Sequence, residues 1–156
     1  MGVNANALRW NREPGHYEVY YLTLTDPGSG IGFWIRYTLL APNDGLGDST
    51  CSLWFMAFDP NSEDGRIARK ATFPISQLEV SDDPFRLQIS DAALTDTGMR
   101  GSFGDVSWDL NWQPSPYAYD HVHPVLEKLK IAKTVFTLPH ADVAVSGTDR
   151  KSTRLN

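Results

Sequence analysis

Hydrophobic and polar side chains alternate with a period of two along most of this chain, which is the spacing of β-strands. The clearest alternating runs cover residues 16–25, 30–42, 52–60, 66–74 and 106–113. Two weak strands are predicted at residues 77–80 and 85–90, and residues 92–94 and 99–104 are expected as short pieces around turns. A strong turn signal at 26–30, Asp-Pro-Gly-Ser-Gly, predicts an antiparallel hairpin between the first two runs. The pattern as a whole predicts an all-β, antiparallel barrel or barrel-like sandwich.

The run at 30–42 has two unlike faces, and we expect the rest of the chain to be organised around it. One face is wholly apolar or aromatic, and its members are Phe33, Ile35, Tyr37 and Leu39. The members of the other face are Trp34, Arg36, Thr38 and Leu40. A buried guanidinium needs a partner, so a plain core would not place an arginine between a tryptophan and a threonine. The first face is therefore expected to be core, and the second is a candidate site.

Some segments do not follow the alternating pattern. Residues 124–132 come directly after a histidine and begin with proline, which predicts the one short helix of the chain. The last eight residues, DRKSTRLN at 149–156, resemble one reading frame of a sequencing-library adapter, so we expect a non-native tail outside the fold. The natural protein would then continue past Gly147. Near the start, Trp10 lies in an extended lead-in and is expected to dock on the sheet.

Composition and charge narrow the classes of function. The chain has 156 residues, enough for about one domain, and a formal net charge of −5. Because no basic run occurs in the part of the chain that is predicted to fold, nucleic-acid binding is not expected. No apolar run reaches the roughly 20 residues that span a bilayer, and the N-terminus lacks a signal-peptide core. We expect a cytoplasmic protein, with membrane association through an apolar substrate as the alternative.

Several common sites are excluded by the motifs that the sequence lacks. The single cysteine, Cys51, rules out an internal disulfide and a cysteine-based metal cluster. The sequence has no G-x-S-x-G, no phosphate-cradling glycine loop and no dinucleotide fingerprint. Hydrolase, kinase and NAD-enzyme functions are therefore not expected.

The order of several motifs resembles one superfamily. These motifs are YEVYYLTL, GFWIRYTLLAP, LWFMAFD, ARKATFP, GSFG and VSWDLNW, the last followed by a proline-rich loop with histidines. Together they resemble the lipocalin-like domain of the superfamily that contains hydroxyneurosporene synthase, a carotenoid 1,2-hydratase, and tocopherol cyclase. Lipocalin-like Diels-Alderases are similar in architecture. The resemblance implies that residues 1–148 form the first of two lipocalin-like β-barrels, with an apolar substrate near their junction.

The resemblance also implies a kind of chemistry, in which isoprenoid or polyketide chains are protonated, cyclised or folded for ring closure without a metal or nucleotide cofactor. Such chemistry requires an apolar cavity with aromatic faces and one acid kept protonated by desolvation. Glu18 and Asp109 are the candidate catalytic acids, since each lies within a predicted strand among aromatic residues. The alternative for each is a solvent-facing carboxylate or a structural ion pair, which for Glu18 would form with Arg36 or Lys70.

Tryptophans supply the candidate pocket wall. Trp34, Trp54 and Trp112 are candidate ligand-binding residues, with plain core packing as the alternative for each. Trp108 shares a face with Trp112 by alternation, so one of these two is expected to pack in the core. Arg36 is either a ligand contact or a structural anchor.

Two histidines, His121 and His123, follow Asp120 in the sequence DHVHP. Their spacing can ligate a metal on an extended segment, but a third ligand is missing, so loop histidines at the barrel mouth are favoured and no metal is expected.

Three functions stay open. The first is that the chain is part of a hydratase or cyclase acting on an apolar isoprenoid or polyketide. The second is a non-catalytic carrier of a lipid or pigment, and the third is a structural half that packs on the missing C-terminal barrel.

Overall fold

The fold begins with a meander of four antiparallel strands. In the computed structural model, the described residues are 6–114, 119–120, 137–138 and 144–151. The four strands pair in chain order and form the four-stranded sheet. Their bounds are β1 His16–Thr25, β2 Gly32–Ala41, β3 Thr50–Phe58 and β4 Arg66–Pro74. The hairpin predicted between the first two runs is confirmed, because β1 pairs with β2 antiparallel from Thr25–Gly32 to His16–Ala41.

A second meander follows after a single 3-10 turn at Ile75–Gln77. It forms the six-stranded sheet, in the order β12-β9-β8-β7-β6-β5. The strand bounds are β5 Leu78–Asp82, β6 Phe85–Ile89, β7 Ala92–Thr95, β8 Gly98–Phe103, β9 Val106–Trp112 and β12 Val145–Lys151. Two short strands, β10 Tyr119–Asp120 and β11 Thr137–Leu138, pair with each other.

The all-β prediction is confirmed for the described part of the chain, which contains no α-helix. Its strands form open sheets, and neither large sheet closes on itself into a barrel. The helix predicted at 124–132 lies outside the described residues. The predicted tail begins within β12, where the backbone of Asp149 pairs with Trp108 and that of Lys151 with Val106.

Both large sheets contribute side chains to one hydrophobic core. The predicted core face of the 30–42 run is confirmed, because Ile35, Tyr37 and Leu39 are all buried. Phe55 stacks on Trp108 of the opposite sheet with ring centroids 6.1 Å apart. Such aromatic contacts join the sheets through their largest side chains. The described side chains between the two sheets therefore belong to one buried hydrophobic cluster.

A small polar network lies within this core. Trp108 donates from Nε1 to the Tyr37 hydroxyl over 3.3 Å, and that hydroxyl can donate to the carbonyls of Ala93 at 3.2 Å or Arg100 at 3.3 Å. Burial raises the pKa of Tyr37, while the hydrogen bond from Trp108 acts in the opposite direction. Because each buried polar group here has a partner, the network fixes how the two sheets align.

Trp108 also explains a glycine in the neighbouring strand. Gly101 pairs directly with Trp108, and a Cβ at Gly101 would lie 2.6 Å from Trp108 Cζ2 and 2.5 Å from Ala92 Cβ. No side chain fits in that space, so the indole lies over bare backbone. The size of the Trp108 indole therefore requires a glycine at position 101.

The lead-in connects the edges of the two sheets. Trp10 is buried in the core, as predicted, and donates from Nε1 to the Glu13 carbonyl over 2.8 Å. The Leu8 amide donates to Asp82 at the end of β5 over 3.4 Å, and the Arg9 amide donates to Glu18 on β1. The lead-in therefore covers part of the gap between β1 and β5, the edge strands of the two sheets.

Candidate ligand-binding face

The outer face is the side of the four-stranded sheet that points away from the core. Because side chains alternate along each strand, its members follow from the register of β1 to β4. They are Tyr17, Val19, Tyr21, Thr23, Thr25, Gly32, Trp34, Arg36, Thr38, Leu40, Thr50, Ser52, Trp54, Met56, Phe58, Arg66, Ala68, Lys70, Thr72 and Pro74. Three predicted ligand-binding residues, Trp34, Arg36 and Trp54, lie together on this face.

A single cross-strand row runs over the outer face and alternates aromatic and cationic side chains. Its members, here called the aromatic–cationic row, are Tyr21, Arg36, Trp54 and Lys70, each directly opposite the next. The Arg36 guanidinium lies 5.5 Å from the Trp54 ring centroid and 4.7 Å from that of Trp34. Lys70 Nζ lies 4.5 Å from the Trp54 ring centroid. Cation–π attraction therefore holds both cations against aromatic rings.

The polar atoms of the row are only partly satisfied. Arg36 donates from Nη2 to the Tyr17 hydroxyl over 2.9 Å, and Trp54 donates from Nε1 to Thr38 Oγ1 over 3.3 Å. Arg36 Nε and Trp34 Nε1 are buried and have no hydrogen-bond partner among the described residues. A buried donor without a partner costs about 1–3 kcal/mol. In the described part of the chain Arg36 pairs with no carboxylate, so it is not the anchor of an internal ion pair.

The outer face exposes much more apolar surface than a solvated sheet requires. Tyr17 is 57% exposed, Tyr21 41%, Leu40 45% and Phe58 47%. Among the described residues the other large hydrophobic side chain that is exposed, Leu46, lies in a loop. Clustered exposed apolar side chains mark ligand or protein contact surfaces, whereas scattered ones need no explanation. Such a concentration on one face is typical of a contact surface.

A shallow cleft lies at one end of the outer face. It has a volume of about 400 Å³, and its lining includes Trp34, Phe58 and Phe33. Gly32 lies between them on β2 and leaves room where a side chain would otherwise stand. The cleft is apolar for most of its surface, which suits a hydrocarbon group.

The charge on the outer face is of one sign. Arg36, Arg66 and Lys70 are its charged members, and none of its members is Asp or Glu. The chain as a whole carries a formal charge of −5. The face is therefore a local basic surface on an acidic protein, which favours contact with an anionic group.

Glu18, the first candidate acid, lies on the opposite side of the sheet from Arg36. Glu18 pairs with Leu39, whereas Arg36 pairs with Tyr21, so the predicted ion pair of Glu18 with Arg36 or Lys70 is wrong. The Glu18 carboxylate instead accepts from the Arg9 amide, at 3.1 and 3.2 Å, and from the Tyr20 hydroxyl at 2.8 Å. It also contacts His16 Nε2 at 2.8 Å.

Through these contacts Glu18 connects the lead-in to β1. Burial, and then the charge of Glu18, raise the pKa of Tyr20, which stacks on Phe85 in the core. A carboxyl group occupied by three neighbours on the core side cannot reach a ligand on the outer face. Glu18 and the aromatic–cationic row therefore do not form one site.

Asp109, the second candidate acid, lies on the outer side of the six-stranded sheet and is exposed. It pairs across the sheet with Arg100 and accepts from Asn111 Nδ2 at 3.5 Å. A hollow of about 200 Å³ beside it is lined by both polar and apolar residues. The predicted catalytic role requires burial, and Asp109 does not have it.

Trp112 and Trp108 share a face, as alternation predicts, and that face is the core side of β9. Both are buried between the sheets. Trp112 is therefore separated from Trp34 and Trp54 by the thickness of the four-stranded sheet. Trp34, Trp54 and Trp112, the predicted pocket wall, therefore do not lie on one surface.

Sequence reasoning did not single out Met56, Phe58 and the role of Lys70 on the outer face. The signal was available in the alternation of residues 52–60, which places Met56 and Phe58 beside Trp54. Lys70 joins the row through the register of β3 with β4, in which it stands opposite Trp54. That register depends on the connecting loop, whose closure includes a hydrogen bond from Asp59 N to the Gly65 carbonyl.

Within the described ranges, no group of three or more His, Cys, Asp or Glu residues is placed to hold a metal ion. His121 and His123 lie outside those ranges. Cys51 is buried, and burial raises the pKa of its thiol to about 11. Among the residues that the structure describes, no helix is long and apolar enough to cross a bilayer.

Comparison with known proteins gives distant similarity only. No protein-family model matches the chain. The chain is similar to proteins named as uncharacterized in two Mycobacterium tuberculosis strains, CDC 1551 and H37Rv, each 24% identical over 140 residues. That match covers 90% of this chain but only 39% of each relative, so the chain spans about two fifths of their length. No solved structure matches significantly.

Proposed function

We propose that this chain is a binding module of the lipocalin-like class, a barrel-like sandwich that holds an apolar isoprenoid- or polyketide-like molecule against its outer face. The observation that carries this is the cluster of aromatic and apolar side chains on the outer face, which includes Trp54, with Trp34 and Phe58 lining a cleft of about 400 Å³. The described side chains between the sheets form one buried hydrophobic cluster, so we place the ligand on the sheet and not between the sheets.

We further propose that the module belongs to a longer protein of the hydratase or cyclase type. The relatives extend well beyond the matched region, which leaves room for a second module facing the outer face. The catalytic acid would come from that other part, because Glu18 lies on the core side and Asp109 on the far sheet. In this arrangement the outer face supplies one wall of the site.

Two alternatives keep a specific basis in the structure. A carrier would use the same face without any acid, and the placement of Glu18 and Asp109 agrees with that. A structural half would use the exposed side chains of Tyr17, Leu40 and Phe58 only to pack on a second module. Binding of a small apolar molecule separates the first two functions from the third.

The test is a titration of the chain with geranylgeraniol, an uncharged isoprenoid alcohol, followed by tryptophan fluorescence. We expect saturable quenching, because Trp34 and Trp54 would lie against the ligand. Phe58→Asp places a charge at the cleft and should weaken binding by about tenfold or more, which corresponds to 1.4 kcal/mol or more. Phe58 is 47% exposed, so the fold should tolerate the change.

Ser102→Asp is the matched control. Ser102 is exposed on the outer side of the six-stranded sheet, so the same charge is added far from the cleft. It should leave binding unchanged. If geranylgeraniol causes no saturable change, or if both variants bind like the parent chain, the outer face is not the ligand site.

A further inference from the structure

The aromatic–cationic row carries more than an apolar surface needs. An uncharged hydrocarbon would be served by Trp34, Met56 and Phe58 alone. Arg36 and Lys70 are instead kept beside the Trp54 ring, at 5.5 and 4.5 Å, in the middle of the sheet. No carboxylate of the described chain neutralises either cation. Two oriented cations without a counter-ion are a site for an anion.

Arg36 is suited to this role by its surroundings. It is half-buried between two tryptophans, where attraction to an anion is screened less than at an open surface. It makes one hydrogen bond, to Tyr17, so its remaining N–H groups are not used by the described residues. Its guanidinium can donate two parallel hydrogen bonds to a carboxylate or phosphate.

We propose that the ligand of the outer face carries an acidic group, a carboxylate or phosphate, held between Arg36 and Lys70 over the Trp54 ring. Its hydrocarbon chain then runs along the sheet past Trp34 and Met56 into the cleft at Phe58. This inference rests on the proposed function and names the chemical class of the ligand. The ligand is a single acidic amphiphile and not a membrane surface.

The register of the strands sets the distance between the acid site and the cleft, and hence the expected length of the ligand. The row that contains Trp34 and Met56 lies two residues along the strands from the aromatic–cationic row, and the row that contains Gly32 and Phe58 lies two residues further. Two residues of a strand span about 6.7 Å, so the acid site and the cleft are roughly 13 Å apart. Arg36 and Lys70 belong to strands two apart, about 10 Å between backbones, which leaves space for one acidic group between their side chains.

The test compares ligands that share one hydrocarbon chain and differ in the head group. Geranylgeranoic acid, geranylgeranyl phosphate and geranylgeraniol are each titrated below the concentration at which they aggregate, with tryptophan fluorescence as the readout. We expect at least one of the two acids to bind about tenfold or more tighter than the alcohol. The stronger of the two identifies the acidic group as a carboxylate or a phosphate.

Variants of the cations locate the acid site. Lys70→Met keeps the hydrocarbon stem and removes the charge; it should erase most of the advantage of the acid and leave alcohol binding unchanged. Arg36→Met should do the same. Lys70 is exposed on an edge strand, so its variant gives a result even if Arg36→Met does not fold. Arg66→Met is the matched control, since Arg66 lies on the same strand and face but four residues away, opposite Phe58.

Several results would overturn the inference. Equal affinity for acid and alcohol would refute the anion site while the proposed function stands. An Arg66→Met loss as large as that of Lys70→Met would show a general electrostatic attraction without an anchored head group. Binding to phosphatidylglycerol vesicles without binding to either monomeric acid would assign the face to a membrane. No binding of any of the three ligands would refute the proposed function and the inference together.

Discussion

The outer face of the four-stranded sheet and the outer side of the six-stranded sheet cover the same core with different side chains. The six-stranded sheet presents polar residues and charges of both signs, with Glu79, Arg86, Arg100 and Asp109 among them, and no aromatic residue. The four-stranded sheet presents tyrosines, tryptophans and a phenylalanine with basic charges only.

This difference separates what the fold requires from what a function requires. A sheet that is half buried needs one apolar side and can leave the other to water, as the six-stranded sheet does. The four-stranded sheet carries large aromatic or apolar side chains on both sides, and the core alone does not require those that share the outer face with threonines and cations. Arg36 and Lys70 also lie against Trp54 there, and this combination supports the proposal that the outer face contacts another molecule.

The largest expected effect contrasts two tryptophans on facing sheets. Trp108→Ala should lower the free energy of unfolding by about 3–5 kcal/mol, because it removes a buried indole that stacks on Phe55 and leaves a cavity. Trp54→Ala should cost no more than about 1–2 kcal/mol, since it loses cation–π contacts on a half-hydrated face.

Urea denaturation of both variants measures the two losses, and ligand titration completes the comparison. Trp54→Ala should lose binding while the chain stays folded. Equal destabilisation by the two substitutions would mean that the outer face is as much a part of the core as the inner one.

An intermediate effect is expected from pH, through a buried tyrosine. Burial raises the pKa of Tyr37 above the unfolded value of about 10. The folded state therefore holds this proton more tightly, so the stabilisation is complete below pH 10 and is lost as the pH rises above it. Cys51, whose pKa is raised to about 11 by burial, adds a loss that begins near pH 9.

Tyr37→Phe tests this contribution. At neutral pH it should cost about 1–3 kcal/mol, because Trp108 Nε1 loses its acceptor. Its stability should then decline less steeply above pH 10 than that of the parent chain. Tyr17→Phe on the exposed outer face is the control for removal of a tyrosine hydroxyl outside the core. An unaltered slope in Tyr37→Phe would contradict the assignment.

Alternation alone predicted much of this architecture. It assigned Ile35 and Tyr37 to the core and Trp34 and Arg36 to the other side, because a strand reverses its side chains at each residue. It also predicted weak strands at 77–80 and 85–90, which correspond to β5 and β6 of the six-stranded sheet. Residues 92–94 and 99–104 were expected as short pieces around turns, whereas they form β7 and β8. What it could not supply was how the strands pair, since a slip of one residue would exchange the two faces of a strand.

The site was harder to predict for the same reason. The hairpin loop fixes Thr25 opposite Gly32, and that register sends Glu18 to the core side, away from Arg36. The sequence does not reveal this without knowledge of the loop geometry. For Asp109, by contrast, the signal was present, because alternation with Trp108 already placed its carboxylate on the side facing away from the core.

The smallest expected effect concerns Asp109 and the solvated side of the six-stranded sheet. Asp109→Asn keeps the shape of the side chain and removes a charge from an exposed position, where Asn111 Nδ2 donates to the carboxylate over 3.5 Å. The free energy of unfolding should change by less than about 0.5 kcal/mol, and geranylgeraniol affinity should not change. Both are measured on the same preparation, with Ser107→Ala on the same strand and side as the control. A loss of binding in Asp109→Asn alone would place the ligand on the wrong sheet and remove the contrast between the two outer surfaces.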